Sequence, residues 1–304
     1  MNDILIMQRG FQPKLEGEVS DFASVIVGGM GGSALPALAL QSCTHTPLTV
    51  HRDYDLPDHA PKDALYVAIS YSGETEETIS FLDAAHNRGH QTVVITTGGT
   101  LLSKAEFLKT PRIMVPKTGL EPRDAFGFLT KALAALLKEE EVLRALDTQI
   151  IVDERSVLHL ANALQDRIPL LYASTRNEAH TYIAKILLNE TAKVPAFANV
   201  FPELNHNEFQ GIDPKGPTDL AKDLVPVLFE DRGDHQGIRR RMKLFRELMD
   251  ERGLETHALQ IPEGRIEGIL YIWQLFREAS HTLAGSYGVE ADATPLIAEF
   301  KKRL

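Results

Sequence analysis

Cysteine is almost missing from this chain of 304 residues, and the single Cys43 cannot form an intrachain disulfide. A fold held by cross-links is therefore excluded, and a lone thiol suits a reducing compartment, so a cytoplasmic location is expected. Long apolar runs are also lacking. No stretch approaches the eighteen or more residues of a membrane span, so no membrane partner is expected. The N-terminal stretch has no basic start, sustained apolar run or small-residue cleavage site, and it does not read as a signal peptide. Positive charge is in deficit: 32 Lys and Arg face 42 Asp and Glu, for a net charge of -10. That balance excludes a general nucleic-acid binder, since a phosphate backbone needs a basic face. It leaves room for a small anion held by local N–H groups and one or two cations.

What is present is an ordinary globular composition, 43% apolar and 24% charged, at a length that suggests about two domains. After a helical lead-in, a β-branched run ends at Gly28 and meets a Gly-rich turn and a helix start. Strands are predicted over residues 48–52, 64–70, 91–97 and 112–115, and a helix over 124–146. The second half repeats the plan, with strands at 168–174, 224–230 and 255–261 and helices at 177–188, 235–252 and 265–285. Strands alternating with helices imply the α/β class, with parallel sheets flanked by helices. The halves correspond in element order with little residue identity. Two domains of related topology are predicted, 1–150 and 151–304, meeting near residues 147–153.

Two segments carry the chemistry. The first, residues 70–78 (SYSGETEET), lies where a strand ends and a helix begins. Strand C-terminal ends bind ligands in open parallel sheets, and a helix N-terminus offers free N–H groups to an anion. Ser70, Ser72 and Thr75 add hydroxyls there, and Gly73 permits close backbone approach. A capping box accounts for one of these hydroxyls but not for three. In the upstream glycine loop, Gly29, Gly31 and Ala34 fit G-x-G-x-x-A with Asp53 downstream. The adjacent hydroxyl-rich loop favours a sugar phosphate across both loops over a dinucleotide. The equivalent loop of the second half, residues 230–235 (EDRGDH), has acids in place of hydroxyls, so only the first domain is expected to hold phosphate.

The second segment, residues 188–211 (LNETAKVPAFANVFPELNHNEFQG), gathers Glu190, Glu203, His206 and Glu208 among the carboxamides of Asn189, Asn205 and Asn207. This set suits proton transfer on a polar substrate. His206 with Glu203 and Glu208 lacks a familiar metal-ligand spacing, and no metal is expected.

Residues 28–34, 70–78, 121–123 (EPR), 188–193, 201–211 and the C-terminal 294–301 (TPLIAEFK), taken in order, resemble the bifunctional phosphoglucose/phosphomannose isomerase family of the sugar isomerase (SIS) superfamily. The resemblance spans nearly the whole chain, and its most specific motif is PELNHNE. It implies two SIS domains, a homodimer with a shared active site, and interconversion of glucose and mannose 6-phosphates with fructose 6-phosphate without a cofactor. By the same resemblance Glu190 matches the catalytic base and His206 a ring-opening histidine supplied by the neighbouring subunit. Lys301 matches a lysine that assists ring opening, and Arg123 an arginine beside the enediolate. Gly32, Ser33, Ser70, Ser72 and Thr75 match phosphate and substrate contacts, and Thr294 a threonine linked to acceptance of both C2 epimers. Glu203 and Glu208 are left to position His206. The chain departs from the family pattern at residues 182–185 (YIAK) and in SGETEET, where SGNTEET is more usual. The alternatives are a non-catalytic sugar-phosphate-binding SIS regulator and an isomerase of another sugar phosphate.

Overall fold

The computed structural model describes residues 7–304, so part of the expected helical lead-in lies outside the described residues. The chain divides into two compact units, Met1–Gln149 and Ile150–Leu304.

The first unit is built on β1 (Leu15–Glu16), β2 (Ser24–Gly28), β3 (Leu48–His51), β4 (Ala64–Ser70), β5 (Gln91–Thr96) and β6 (Arg112–Met114), in the order β1-β6-β5-β4-β2-β3. All pairings are parallel except that of β1 with β6 at the edge. Every residue of β4 is buried, as expected for a central strand covered on both faces, which reads as one apolar run. The helices are α1 (Leu35–Leu40), α2 (Glu76–Asn87), α3 (Gly99–Leu108), α4 (Phe126–Leu136) and α5 (Glu140–Leu146). The single helix predicted over 124–146 is thus two. The break falls at Lys138, whose φ of +58° takes the backbone out of the helical region.

The second unit contains α6 (Glu154–Leu164), β7 (Ile168–Ser174), α7 (Glu178–Leu187), β8 (Phe197–Phe201), β9 (Leu224–Glu230), α8 (Gln236–Asp250), β10 (His257–Gln260), α9 (Arg265–Tyr287) and α10 (Pro295–Arg303). Its sheet, β10-β9-β7-β8, is parallel throughout. One core cluster joins Tyr172, Phe201, Leu204, Leu228 and Phe245, with Tyr172, Phe201 and Phe245 in mutual edge-to-face contact. Such pairs add roughly 0.5–1.5 kcal/mol each to the burial of their area. Among the described residues no helix is long and apolar enough to cross a membrane.

Both sheets change winding direction once. In the first unit the chain leaves β2 for β3 on one side and continues through β4, β5 and β6 on the other. In the second it leaves β7 for β8 on one side and for β9 and β10 on the other. The loops after the strands on either side of each reversal splay apart and leave a crevice, which is where open α/β sheets bind ligands.

Candidate active site

The crevice of the first unit is walled by the loop after β4. Ser70, fully buried at the strand end, places its Oγ 2.9 Å from Oγ1 of Thr75 and accepts the Gly73 N–H at 3.1 Å. The exposed Ser72 accepts the Glu74 N–H at 3.3 Å. Glu74 reaches forward to the N–H and hydroxyl of Thr100, at 2.9 and 2.7 Å. Gly73 has φ +75°, and a Cβ there would stand 1.9 Å from the carbonyl oxygen of Gly98, so the loop closes only with glycine. Thr75 is the N-cap residue of α2, yet its side chain makes no capping hydrogen bond. The loop therefore presents hydroxyls beside a helix start whose N–H groups have no side-chain cap, a ready anion site.

The glycine loop packs beside it. Ser33 is buried and its Oγ accepts the N–H of Tyr71 at 3.1 Å, tying the two loops together. At Gly32 a Cβ would fall 2.4 Å from the backbone nitrogen of Arg123, so this glycine lets the EPR turn lie directly on the loop. Arg123 is fully buried, with Glu121 and Asp124 carboxylates 3.7 and 3.9 Å from its guanidinium. The first unit thus brings together Gly32, Ser33, Ser70, Ser72, Thr75 and Arg123.

Glu190, His206, Thr294 and Lys301 lie in the second unit. The end of α7 passes into a π-helical turn, Leu188–Ala192, on which Glu190 is half-buried. Such turns are rare and frequent at functional sites. Lys193 follows with φ +60°. Its ammonium turns back onto the carbonyl oxygens of Glu190 at 2.6 Å and Thr191 at 3.2 Å, and crosses to that of Ala291 at 3.1 Å. Helix ends leave carbonyls unpaired, and here one cation satisfies two of them. Asn189 accepts the Ala196 N–H at 3.0 Å and fixes the exit of the turn.

His206 ends the 3-10 turn Glu203–His206 and is exposed. Leu204, fully buried in the core cluster, anchors that turn. Neither Glu203 nor Glu208 bonds the imidazole; each holds its surroundings. Glu203 accepts from the Asn207 amide at 2.7 Å. Glu208 takes short hydrogen bonds from the Tyr172 hydroxyl and the Asn199 amide. Burial, then the hydrogen bond to Glu208, push the Tyr172 phenol well above its ordinary pKa, so it stays a donor. Thr294 is half-buried at the N-cap of α10, and Lys301 is exposed near the end of that helix. Among the described residues no group of three or more His, Cys, Asp or Glu is placed to hold a metal ion.

The family described as "Bacterial phospho-glucose isomerase C-terminal SIS domain" matches residues 154–304. The bifunctional phosphoglucose/phosphomannose isomerase of Caldicellulosiruptor bescii is 32% identical over 256 residues, covering 76% of this chain and 74% of that protein. The chain belongs to the bifunctional phosphoglucose/phosphomannose isomerase family. A member of that family from Aquifex aeolicus is 28% identical over 321 residues, covering 100% of this chain and 99% of the relative. The fold is shared with a solved glucose-6-phosphate isomerase like protein from Thermus thermophilus, at a TM-score of 0.59, 18% identity, and coverage of 97% and 95%.

The sequence reading missed residues that brace the segments carrying Glu190 and His206. Lys193, Tyr172 and Asn199 are the main ones. Lys193 closes the LNETAK segment, and a cation just after a helix end was the available signal.

Proposed function

We propose that the protein interconverts glucose 6-phosphate and mannose 6-phosphate with fructose 6-phosphate through a cis-enediolate, as a cytoplasmic homodimer of two SIS domains, residues 1–150 and 151–304. The observation that carries the reading is Glu190, a half-buried carboxylate held on a π-helical turn, in a chain of this family. A non-catalytic sensor has no use for a base so restrained.

The phosphate is assigned to Gly32, Ser33, Ser70, Ser72 and Thr75. His206 and Lys301 carry the proton between the ring oxygen and the anomeric hydroxyl, which opens the sugar. In the open aldose the C2 hydrogen is acidic because the adjacent carbonyl delocalises the electrons left behind. Glu190 removes that proton; the C2–H pair forms the C1–C2 double bond and the carbonyl pair moves to oxygen. Return of the proton to C1, with transfer of the O2 proton to O1, gives the ketose. A positioned base supplies roughly 10²- to 10⁴-fold, so stabilisation of the oxyanion must supply much of the rest. Arg123 is assigned that role. Its charge is shielded from water, which strengthens its field, although Glu121 and Asp124 offset part of it. Glucose and mannose phosphates differ only at C2 and share one enediolate, so one base serves both, with Thr294 assigned to acceptance of the two epimers.

The dimer reading is supported by α10. It buries none of its residues; Leu296 and Phe300 are 79% and 64% exposed, as is Leu304 just beyond its end at 75%. An apolar helix face of that extent marks an interaction surface. A coupled assay with glucose, mannose and glucosamine 6-phosphates tests the assignment. Turnover of the first two to fructose 6-phosphate is expected, and turnover of the amino sugar alone would refute it.

A further inference from the structure

The winding reversal of the second unit, between β7 and β9, opens onto a cavity of about 380 Å³ whose polar lining includes Arg176, Asn177, His180, Asp231, Arg232 and Arg265, with the segment from Ile261 to Gly264 along its wall. The sequence reading assigns no phosphate to this unit because the loop after β9 carries acids where the first unit has hydroxyls. The fold brings three guanidinium groups to this cavity, Arg232 from the loop after β9, Arg176 from the turn after β7 and Arg265 from the start of α9.

Two helices begin at this cavity. Asn177 and Gly264 are the N-cap residues of α7 and α9, ten and 23 residues long, and neither makes a side-chain capping bond. Their first-turn N–H groups favour an anion at the cavity. Two of the arginines are braced by the protein itself. Arg176 donates to the Gly233 carbonyl at 2.6 Å, and Arg265 donates to Asn177 Oδ1 at 3.1 Å and the Arg176 carbonyl at 3.3 Å. Asp231 is committed likewise, accepting the Asn177 amide at 3.0 Å and the Gly233 N–H at 2.7 Å. Arg232 is exposed and belongs to no ion pair or hydrogen bond among the described residues.

His180 supplies the independent observation. It is 3% exposed and lines the cavity. Its Nδ1 stands 3.2 Å from the Asn177 carbonyl oxygen. That oxygen can only accept, so the proton sits on Nδ1 and Nε2 is left as a lone-pair acceptor. Nε2 is buried without a partner, and a buried acceptor left unpaired costs about 1–3 kcal/mol. A bare phosphate dianion cannot relieve this, since it also only accepts. A hydroxyl can, and the carboxylates of Asp231 and Glu263 offer further acceptors to hydroxyls.

We infer that this cavity is a second ligand site, for a small phosphorylated polyol whose phosphate meets Arg232 and the two helix starts while a hydroxyl donates to His180 Nε2. The volume lies within the range of small-molecule pockets. The site is lined by residues of the second unit alone and does not depend on the roles assigned to the loop after β4.

Calorimetric titration of the full chain with glucitol 6-phosphate, which has no carbonyl and cannot isomerise, reads the number of sites directly. Two sites per chain are expected, and Arg232→Ala is expected to weaken one of them by roughly 10-fold or more while isomerase activity is unchanged. The Ser72→Ala/Thr75→Ala variant is expected to keep the Arg232-dependent site. A single wild-type site insensitive to Arg232→Ala, or two sites both insensitive to it, overturns the inference, whereas a single site that Arg232→Ala removes leaves it standing and refutes the β4-loop assignment. Inorganic phosphate binding at this site as tightly as glucitol 6-phosphate overturns the polyol assignment. If the double variant keeps both sites and Arg232→Ala still removes one, the second site stands and the assignment of the β4 loop fails instead.

Discussion

Lys193 donates its ammonium to the backbone carbonyl of Glu190 at 2.6 Å, three residues back along the chain. The same ammonium reaches Ala291, so the turn that presents Glu190 is fastened to the segment that leads to Thr294. Lys193→Gly keeps the left-handed backbone and removes only the tether. Each charged hydrogen bond lost costs about 1.5–3 kcal/mol, and misplacement of a reacting group costs up to roughly 10²-fold. The expected outcome is a lower denaturation midpoint and a fall in kcat with KM near its original value. Retention of full kcat would show that the turn holds its shape unaided.

Glu190→Gln keeps the shape of the side chain and cannot accept a proton. Isomerisation should drop by roughly 10²- to 10⁴-fold, and exchange of the C2 hydrogen with solvent deuterium, followed by NMR, should fall in step. Fast exchange in this variant would assign the base elsewhere.

Ser72 and Thr75 lie just ahead of α2, and Thr75 spends no bond on capping it. Replacing both with Ala is expected to raise KM for the phosphorylated sugar with little change in the thermal midpoint. A large loss of stability with unchanged KM is the signature of a purely structural loop.

Gly73→Ala should be costly out of proportion to one methyl group. The new Cβ would stand 1.9 Å from a backbone oxygen in a residue with φ +75°, so the loop has to open. Loss of several kcal/mol by urea unfolding is expected, together with weakened phosphate binding.

His180 sets a pH dependence. Burial, reinforced by the Arg265 charge and opposed by the Asn177 carbonyl and Asp231, pushes its pKa down to about 4. In the unfolded chain the value is about 6.5, so below that pH the unfolded state binds the proton first and the folded state is penalised. This contribution is absent above about pH 6.5, grows as the pH falls towards 4, and levels off below. Its full extent is about 3 kcal/mol. Urea midpoints of the protein and of His180→Gln at pH 7.5, 5.5 and 4.5 should converge as the pH falls, with the wild-type chain losing more.

The strands most legible in the sequence are those buried on both faces. The run 64–70 matches β4 residue for residue, because a fully covered strand is apolar throughout and ends abruptly at polar turn residues. β8 was not legible. Phe197 is 56% exposed, and the strand lies at the sheet edge within a polar stretch that reads as a loop. The break at Lys138 was hidden because no glycine marks it and both flanks are helical in pattern. At the site, Ser70 and Thr75 were legible as partners because they share one loop. Lys193 was not, since its role depends on a left-handed turn and on Ala291, almost a hundred residues away. The guanidinium cluster of the second unit was invisible for a related reason: Arg176, Arg232 and Arg265 come from three segments far apart in the chain, and the sequence offered hydroxyls as the template for phosphate.

The π-helical turn at Leu188–Ala192 makes the bearing of Glu190 a matter of counting. In an α-helix each residue advances the side chain by about 100°, and a π turn accommodates more residues than the cylinder around it would allow. Removing Leu188 or Asn189 from this turn would restore regular winding and keep Glu190, yet would swing its carboxylate by about a quarter of a revolution relative to α7. Relatives that keep the glutamate but lose one position ahead of it in the turn are therefore expected to fold well and isomerise poorly, since length in this segment is read as an angle.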